Sequence, residues 1–468
     1  MNRTRYLIQN TVLFAIGNIG SKLIGFLMLP LYTHYLSVSE YGTIDIILTV
    51  SLILSPLIIG NIHEAVMRYL LDKDSEKDRI VTSALIMFVF ASLISLVIML
   101  FLTIYNYNRF LWIIPLFIFT SAIYPVPLSY IRGIEDNKLF VKLNILYTFL
   151  VSTLNILFLV YFKLGINGYF ISLTLSNLII IIIAIIFSKM YIYFLKFNFD
   201  KKTFFSMLKY SMFLIPNSLL WWVTNSSDRV MITSYLGIEQ NGLYSIAYRL
   251  PTVLSILATI FMQSWQLTAI KEKEANDVWK YSNEIFNNLL KTLFLCGSIL
   301  LLFLKPIINI FLAESYYTSW EYSPLLILAL IFGALGGFIG VSYTVAKDSK
   351  GMMLSALSGA IINIILNLIL IPKYGVNGAS FATCISFLIV LIYRHITTRK
   401  YLEIIILKPS YIFILLIFLL QLFAVYLDGI LSYVYMSVCV IAISIISYNE
   451  IKQVVNMVLK RAILLKRK

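Results

Sequence analysis

Of 468 residues, 60% are hydrophobic and only 13% charged, against roughly a quarter charged in water-soluble domains; that balance excludes a water-soluble fold. The formal charge of +15 would suit nucleic acid, but in so apolar a chain it must first be set against the Lys and Arg excess of cytoplasmic loops. Cys296, Cys384 and Cys439 each sit alone in an apolar run, a spacing that offers neither a zinc site nor a redox pair.

Arg3 and Arg5 precede the first apolar stretch as in a signal sequence, but Asn18, Ser21 and Lys22 interrupt that stretch and no small-residue cleavage site is evident. It is expected to stay as a membrane helix. Apolar stretches near the ~20 residues a membrane helix needs run over 7 to 33, 43 to 70, 80 to 104, 110 to 131, 139 to 162 and 168 to 195. Six more cover 204 to 236, 242 to 270, 284 to 312, 323 to 346, 351 to 372 and 376 to 398, and a last pair covers 409 to 427 and 429 to 448. The expected fold is therefore an all-α membrane protein of about fourteen transmembrane helices.

Assigning the loops alternately to two sides places 28 Lys and Arg on the side of the N-terminus and only Arg109, Lys163 and Lys373 on the other. That bias predicts a multi-pass protein of the bacterial cytoplasmic (inner) membrane with both termini in the cytoplasm. It also accounts for the basic charge without nucleic acid as a partner. The tail, IKQVVNMVLKRAILLKRK, reads first as a topology anchor and second as an interfacial helix on anionic lipid.

The chain repeats itself. YLSVSEYGTIDI from Tyr35 matches YLGIEQNGLYSI from Tyr235, and LGINGYFIS from Leu164 matches YGVNGASFA from Tyr374. IEDNK (134 to 138) lies opposite AKDSK (346 to 350), and Asn155 opposite Asn367. The order of elements is kept through two halves of six helices, so the halves are read as parallel repeats related by an axis along the membrane normal. The expected organisation is a six-helix lobe over 1–200, a second over 201–402, an additional helix pair over 403–450 and a basic cytoplasmic tail over 451–468, with a central cavity between the lobes.

In the eighth stretch Ser245, Arg249, Thr252, Ser255, Thr259, Gln263 and Gln266 recur at helical spacing. A polar stripe along an apolar helix is read as lining a cavity, because each unsatisfied polar group facing lipid costs several kcal/mol; polar packing between helices is the other reading. In the first stretch Asn18, Lys22 and Gly25 share a face, and in the seventh Asn225 and Arg229 share one beside Asp228. Intramembrane charge is by default a candidate for function. Lys22 is read that way, whereas Asp228 and Arg229 serve equally as a structural ion pair. Arg68, Lys291 and Lys305 are read as helix-end cations reaching headgroups, and Asp45, Glu64 and His63 as candidates for ion coupling.

No metal site or other cofactor is expected: His34, His63 and His395 are far apart, DKDSEKD (72 to 78) lacks the glycine and terminal glutamate of a calcium loop, and there is no glycine-rich nucleotide loop. Nor is an enzyme expected, since a membrane polymerase or glycosyltransferase generally needs a large outer loop or an acidic metal motif.

NTVLFAIGNIGSKLIGFLMLPLYTHYLSVSEYG near the start, SSDRVMITSYLGIEQNGLYSIAYRL in the middle and YGVNGASFAT in the second half resemble the polysaccharide flippases of the multidrug, oligosaccharidyl-lipid and polysaccharide exporter superfamily. The resemblance implies two six-helix lobes around a cavity that opens alternately to either side, and as substrate an undecaprenyl-pyrophosphate-linked oligosaccharide moved to the outer leaflet. Polysaccharide polymerases or glycosyltransferases are implied as possible partners beside the lipid bilayer itself. Lys22 and Arg249 look similar in placement to cavity-facing cations of the related lipid II flippases and are the implied pyrophosphate-binding pair, with Arg229, Asp228 and Arg68 as secondary candidates. The arginine those flippases carry on the second helix has no counterpart here, where Asp45 stands and no cation does. The last two helices resemble the extra pair with which lipid II flippases shelter a lipid tail. A drug or organic-cation antiporter of the same superfamily is the alternative; its expected acidic cavity fits Lys22 and Arg249 less well.

Overall fold

The computed structural model describes residues 24–72, 76–104, 113–271, 278–346, 348–402, 404–406, 408–448, 450 and 452. Among them every regular element is a helix, and eight are long and apolar enough to cross a membrane, with shorter apolar helices at Pro409–Ala424 and Ile430–Ile446. The chain divides into two compact units, Met1–Ser226 and Ser227–Lys468.

In the first unit the described helices are α1 (Leu29–Tyr35), α2 (Val38–Ile59), α3 (Ile62–Leu70), α4 (Lys77–Ile104), α5 (Ile113–Ile123), α6 (Pro125–Gly133), α7 (Asn137–Asn155) continued by a π-helical segment (Ile156–Tyr161), α8 (Gly165–Phe187), α9 (Tyr191–Leu195) and the start of α10 (Lys201–Leu236). The Ser37 side chain accepts from the Glu40 backbone N–H while the Glu40 carboxylate accepts from the Ser37 N–H, a reciprocal cap that fixes where α2 begins. The stretch 43 to 70 is two helices rather than one, because Gly60 and Asn61 both take left-handed backbone angles (φ 62° and 51°). His63, Glu64 and Arg68 therefore sit on α3, a different helix from Asp45. The core of this unit is apolar, built on residues such as Ile62, Val66, Val81, Ile131 and Ile180.

The second unit holds the rest of α10, then α11 (Ile238–Arg249), α12 (Thr252–Lys271), α13 (Val278–Phe311), a 3-10 segment (Glu314–Tyr322), α14 (Ser323–Ala346), α15 (Ser349–Thr398, two helical arms joined at a kink at Gly375), α16 (Pro409–Ala424) and α17 (Ile430–Ile446). The eighth stretch is also broken, between α11 and α12 at Leu250–Pro251, since proline cannot supply a helical N–H. Its core gathers Ile232, Tyr244, Ala247, Leu326, Ile371 and Ala379.

The sequence repeat has a physical basis. Asp136 caps α7 by accepting from the Leu139 N–H at 3.0 Å, and Asp348 caps α15 by accepting from the Gly351 N–H at 2.8 Å. Gly165 and Gly375 both have positive φ, 54° and 61°, a turn that side chains strain. Three residues on, a Cβ at Gly168 would lie 3.0 Å from the Phe158 carbonyl oxygen, and one at Gly378 would run into that of Leu370. Each half thus uses the same device: an aspartate cap, a helix, a left-handed glycine and a second glycine that lets the next helix start against the backbone of the last.

Candidate functional site

A buried polar group in the second unit centres on Asp228 of α10, which is 3% exposed. Its Oδ2 accepts from the Tyr244 hydroxyl of α11 and, at 3.3 Å, from the Thr383 hydroxyl of α15; its Oδ1 accepts from the Arg229 backbone N–H at 3.0 Å. Next to it the Ser227 hydroxyl donates to Asn363 Oδ1 at 3.1 Å, as does the Asn367 amide at 3.0 Å. The Asn367 Oδ1 is buried and has no hydrogen-bond partner among the described residues. A buried carboxylate needs such donors, because desolvating it bare is prohibitive. Oxygen-rich and acidic, the group has the chemistry to take up a proton or a hard cation.

The Arg229 guanidinium lies over the Tyr248 ring, 5.0 Å from the centroid, as cations do on aromatic faces. Tyr244, Thr383, Asn363 and Asn367 were outside the sequence-derived set. Three of them lie on α15, more than 130 residues along the chain from Asp228, so no local pattern joins them to it; the signal within reach was the i, i+4 pair of asparagines inside an apolar helix.

The predicted stripe is distributed over two helices. Ser245 is buried on α11, and Arg249, the last residue of that helix, is exposed at the break. On α12 Thr252, Ser255 and Thr259 are half-buried and Gln266 is exposed. The three hydroxyls donate back to carbonyls of their own chain: Thr252 to Arg249, Ser255 to Thr252 at 2.6 Å and Thr259 to Ser255 at 2.6 Å. Such back-bonding satisfies Ser and Thr without water, so their polarity alone does not require an aqueous face. Lys22 and Asn18 lie outside the described residues, as does the Gln263 side chain.

The other candidates are scattered. Asp45 is buried on α2. Glu64 is half-exposed, 3.6 Å from His63 Nε2. Arg68 is exposed and paired with Asp72 one turn on. Lys291 and Lys305 are not headgroup anchors: their side chains are 8% and 15% exposed. Lys291 donates to Glu450 Oε1 at 2.7 Å and to the Ile446 carbonyl at 3.1 Å. Lys305 lies 4.1 Å from the centre of the Trp320 ring and 3.9 Å from Asp428. A long apolar helix that packs against two neighbours gives a lysine partners in the chain: a half-buried carboxylate and a backbone carbonyl for Lys291, a ring and an exposed carboxylate for Lys305.

Among solved structures, the lipid II flippase MurJ in an inward closed conformation superposes with a TM-score of 0.69 at 18% identity, over 94% of this chain and 100% of that one. The MATE transporter VcmN of Vibrio cholerae superposes with 0.58 at 14% identity, over 85% and 96%. A MOP superfamily transporter from Pyrococcus furiosus, described as having a binding pocket of reverse polarity, gives 0.57 at 14% identity, over 84% and 94%. These likenesses establish the fold. No curated protein matches by sequence. Residues 7–266, more than half of the chain, match the family model described as polysaccharide biosynthesis protein. Joined to the run of membrane-length helices and to the shared fold, that match settles the assignment: this is a multi-pass membrane protein that belongs to the polysaccharide biosynthesis protein family.

Proposed function

We propose that the protein is a flippase that moves undecaprenyl-pyrophosphate-linked oligosaccharide repeat units across the cytoplasmic membrane, by alternating access between two lobes. The observation that carries this reading is the family match over residues 7–266. The fold shared with a lipid II flippase is compatible with a lipid-linked cargo. Lys22 and Arg249 hold the pyrophosphate while the sugar crosses and the polyprenyl tail stays in lipid. A pyrophosphate brings at least two negative charges, which fixed cations in a confined, weakly polar space bind far better than cations in water. Arginine binds two phosphate oxygens through its planar fork, which lysine cannot. Asp228, buried and rich in donors, is the carboxylate at which ion coupling is placed in this reading.

The test is export, read as surface polysaccharide in a strain lacking its own flippase, with membrane levels of each variant followed by immunoblot. Arg249→Ala abolishes export, Arg249→Lys leaves part of it, and Lys22→Arg is tolerated better than Lys22→Ala. Wild-type export from both alanine variants at normal levels removes the pair from the mechanism.

The fold shared with MATE transporters and the buried acid at 228 favour one second reading, an antiporter for drugs or organic cations. Resistance conferred on a sensitive strain and lost in Asp228→Asn, with no effect on surface polysaccharide, selects it.

A further inference from the structure

The face of α13 that carries Lys291, Ser298 and Lys305 repeats every seven residues, close to two helical turns. All three side chains are used by the C-terminal helix pair or the segment just after it. Near one end Lys291 donates to Glu450 Oε1 at 2.7 Å and to the Ile446 carbonyl of α17 at 3.1 Å, and the Asn287 amide, one turn earlier, donates to the same Glu450 oxygen at 2.9 Å. In the middle the Ser298 hydroxyl donates to Gln421 Oε1 of α16 at 2.6 Å while the Gln421 amide returns a bond to the Ser298 carbonyl at 3.0 Å. At the far end Lys305 faces Asp428, in the turn between α16 and α17, at 3.9 Å. Apolar contacts fill the intervals: Phe294 meets Phe418 edge-on with ring centres 5.2 Å apart, and a Cβ at Gly297 would press on Ile331 Cδ1 at 2.9 Å and Phe418 Cε2 at 3.3 Å.

Fourteen residues of helix rise about 21 Å, most of a hydrocarbon core of about 30 Å. Within lipid, apolar surfaces gain little from meeting each other, so helix pairs are held by close packing and by polar contacts. Such contacts also fix register, because a slide of one turn would leave a buried cation and a buried amide without partners.

We infer that this ladder locks α16 and α17 onto α13 as one rigid body with the second unit, so that Lys291, Ser298 and Lys305 are positioning residues for the pair. The pair keeps its place while the transporter changes state; it is not a gate that swings away.

The test begins on purified protein in nanodiscs. Lys291→Glu and Glu450→Lys each lower the unfolding temperature by several degrees, and the double exchange recovers most of the loss. Recovery separates a pair contact from two independent defects, and its absence overturns the ladder at that rung. Next, Ser298→Cys and Gln421→Cys are combined after replacing Cys296, Cys384 and Cys439 by Ala, and the two thiols are joined with a short bis-methanethiosulfonate reagent. Near-complete joining with export unchanged from the unjoined protein is the expected result, and loss of export on joining at equal membrane levels overturns the rigid-body claim. Should the parent chain export no polysaccharide, the flippase reading fails and not this one. Rigidity is then read from spin labels at the same two cysteines: one narrow distance distribution supports it, and two populations overturn it.

Discussion

Asp228 has its two carboxylate oxygens occupied by a tyrosine, a threonine and a backbone N–H from three different stretches of chain. Removing one hydrogen bond to a buried charge costs about 1.5–3 kcal/mol, so Tyr244→Phe is expected to lower stability by that order, measured as the thermal unfolding of purified protein. Asp228→Asn removes the charge but keeps the size; it is expected to fold and to abolish the dependence of transport on the coupling ion. Glycines give a second residue-scale test. A Cβ at Gly378 runs into the Leu370 carbonyl, whereas one at Gly337 meets nothing nearer than Met262 Cε at 3.7 Å. Gly378→Ala should therefore cost about 1–3 kcal/mol as an overpacked contact. Gly337→Ala, in the interior of α14, should be neutral or should stabilise by up to about 1 kcal/mol through helix propensity. Equal unfolding temperatures for the two variants would remove the close-approach explanation of the repeated glycines.

At the scale of elements, the breaks matter as much as the helices. Proline at 251 and the left-handed Gly60 and Asn61 divide two of the stretches expected to be single helices. Arg249 thereby ends α11 at a break instead of lying within a continuous stripe. The contact that closes the C-terminal pair carries a pH signature. Burial pushes the Glu450 carboxyl up, but hydrogen bonds from Lys291 and Asn287 outweigh it and hold the group below its ordinary 4.5. A depressed carboxylate contributes stability that is complete above the unfolded value and is lost as pH falls through the folded one. The wild-type unfolding temperature is thus expected to hold from neutrality down to about pH 5 and to drop below pH 4.5. Glu450→Gln should start lower and lose less over that acid range, measured by thermal scans at fixed salt.

For the whole molecule, the loop bias predicts that a reporter fused after Lys468 is active only if it works in the cytoplasm, while reporters near Asn108 and Ser315 behave oppositely; periplasmic activity at the C-terminus would overturn the orientation. What the sequence determined by itself was set by the solvent. In lipid every backbone group must be bonded within its own helix, so apolar runs such as 323 to 346 could be read as helices, and α14 spans those same residues. The repeat itself was equally legible as matching segments, while the caps at Asp136 and Asp348 and the left-handed turns at Gly165 and Gly375 that explain it came from the structure. Only tertiary structure decided which helices meet: that Asp228 draws on Tyr244 and Thr383, and that Lys291 and Lys305 face Glu450 and Asp428. Hydrophobic periodicity records which side of a helix is apolar and not which helix covers it, so a lysine that snorkels to headgroups and one that is turned to a carboxylate of another element look alike until that element is in place.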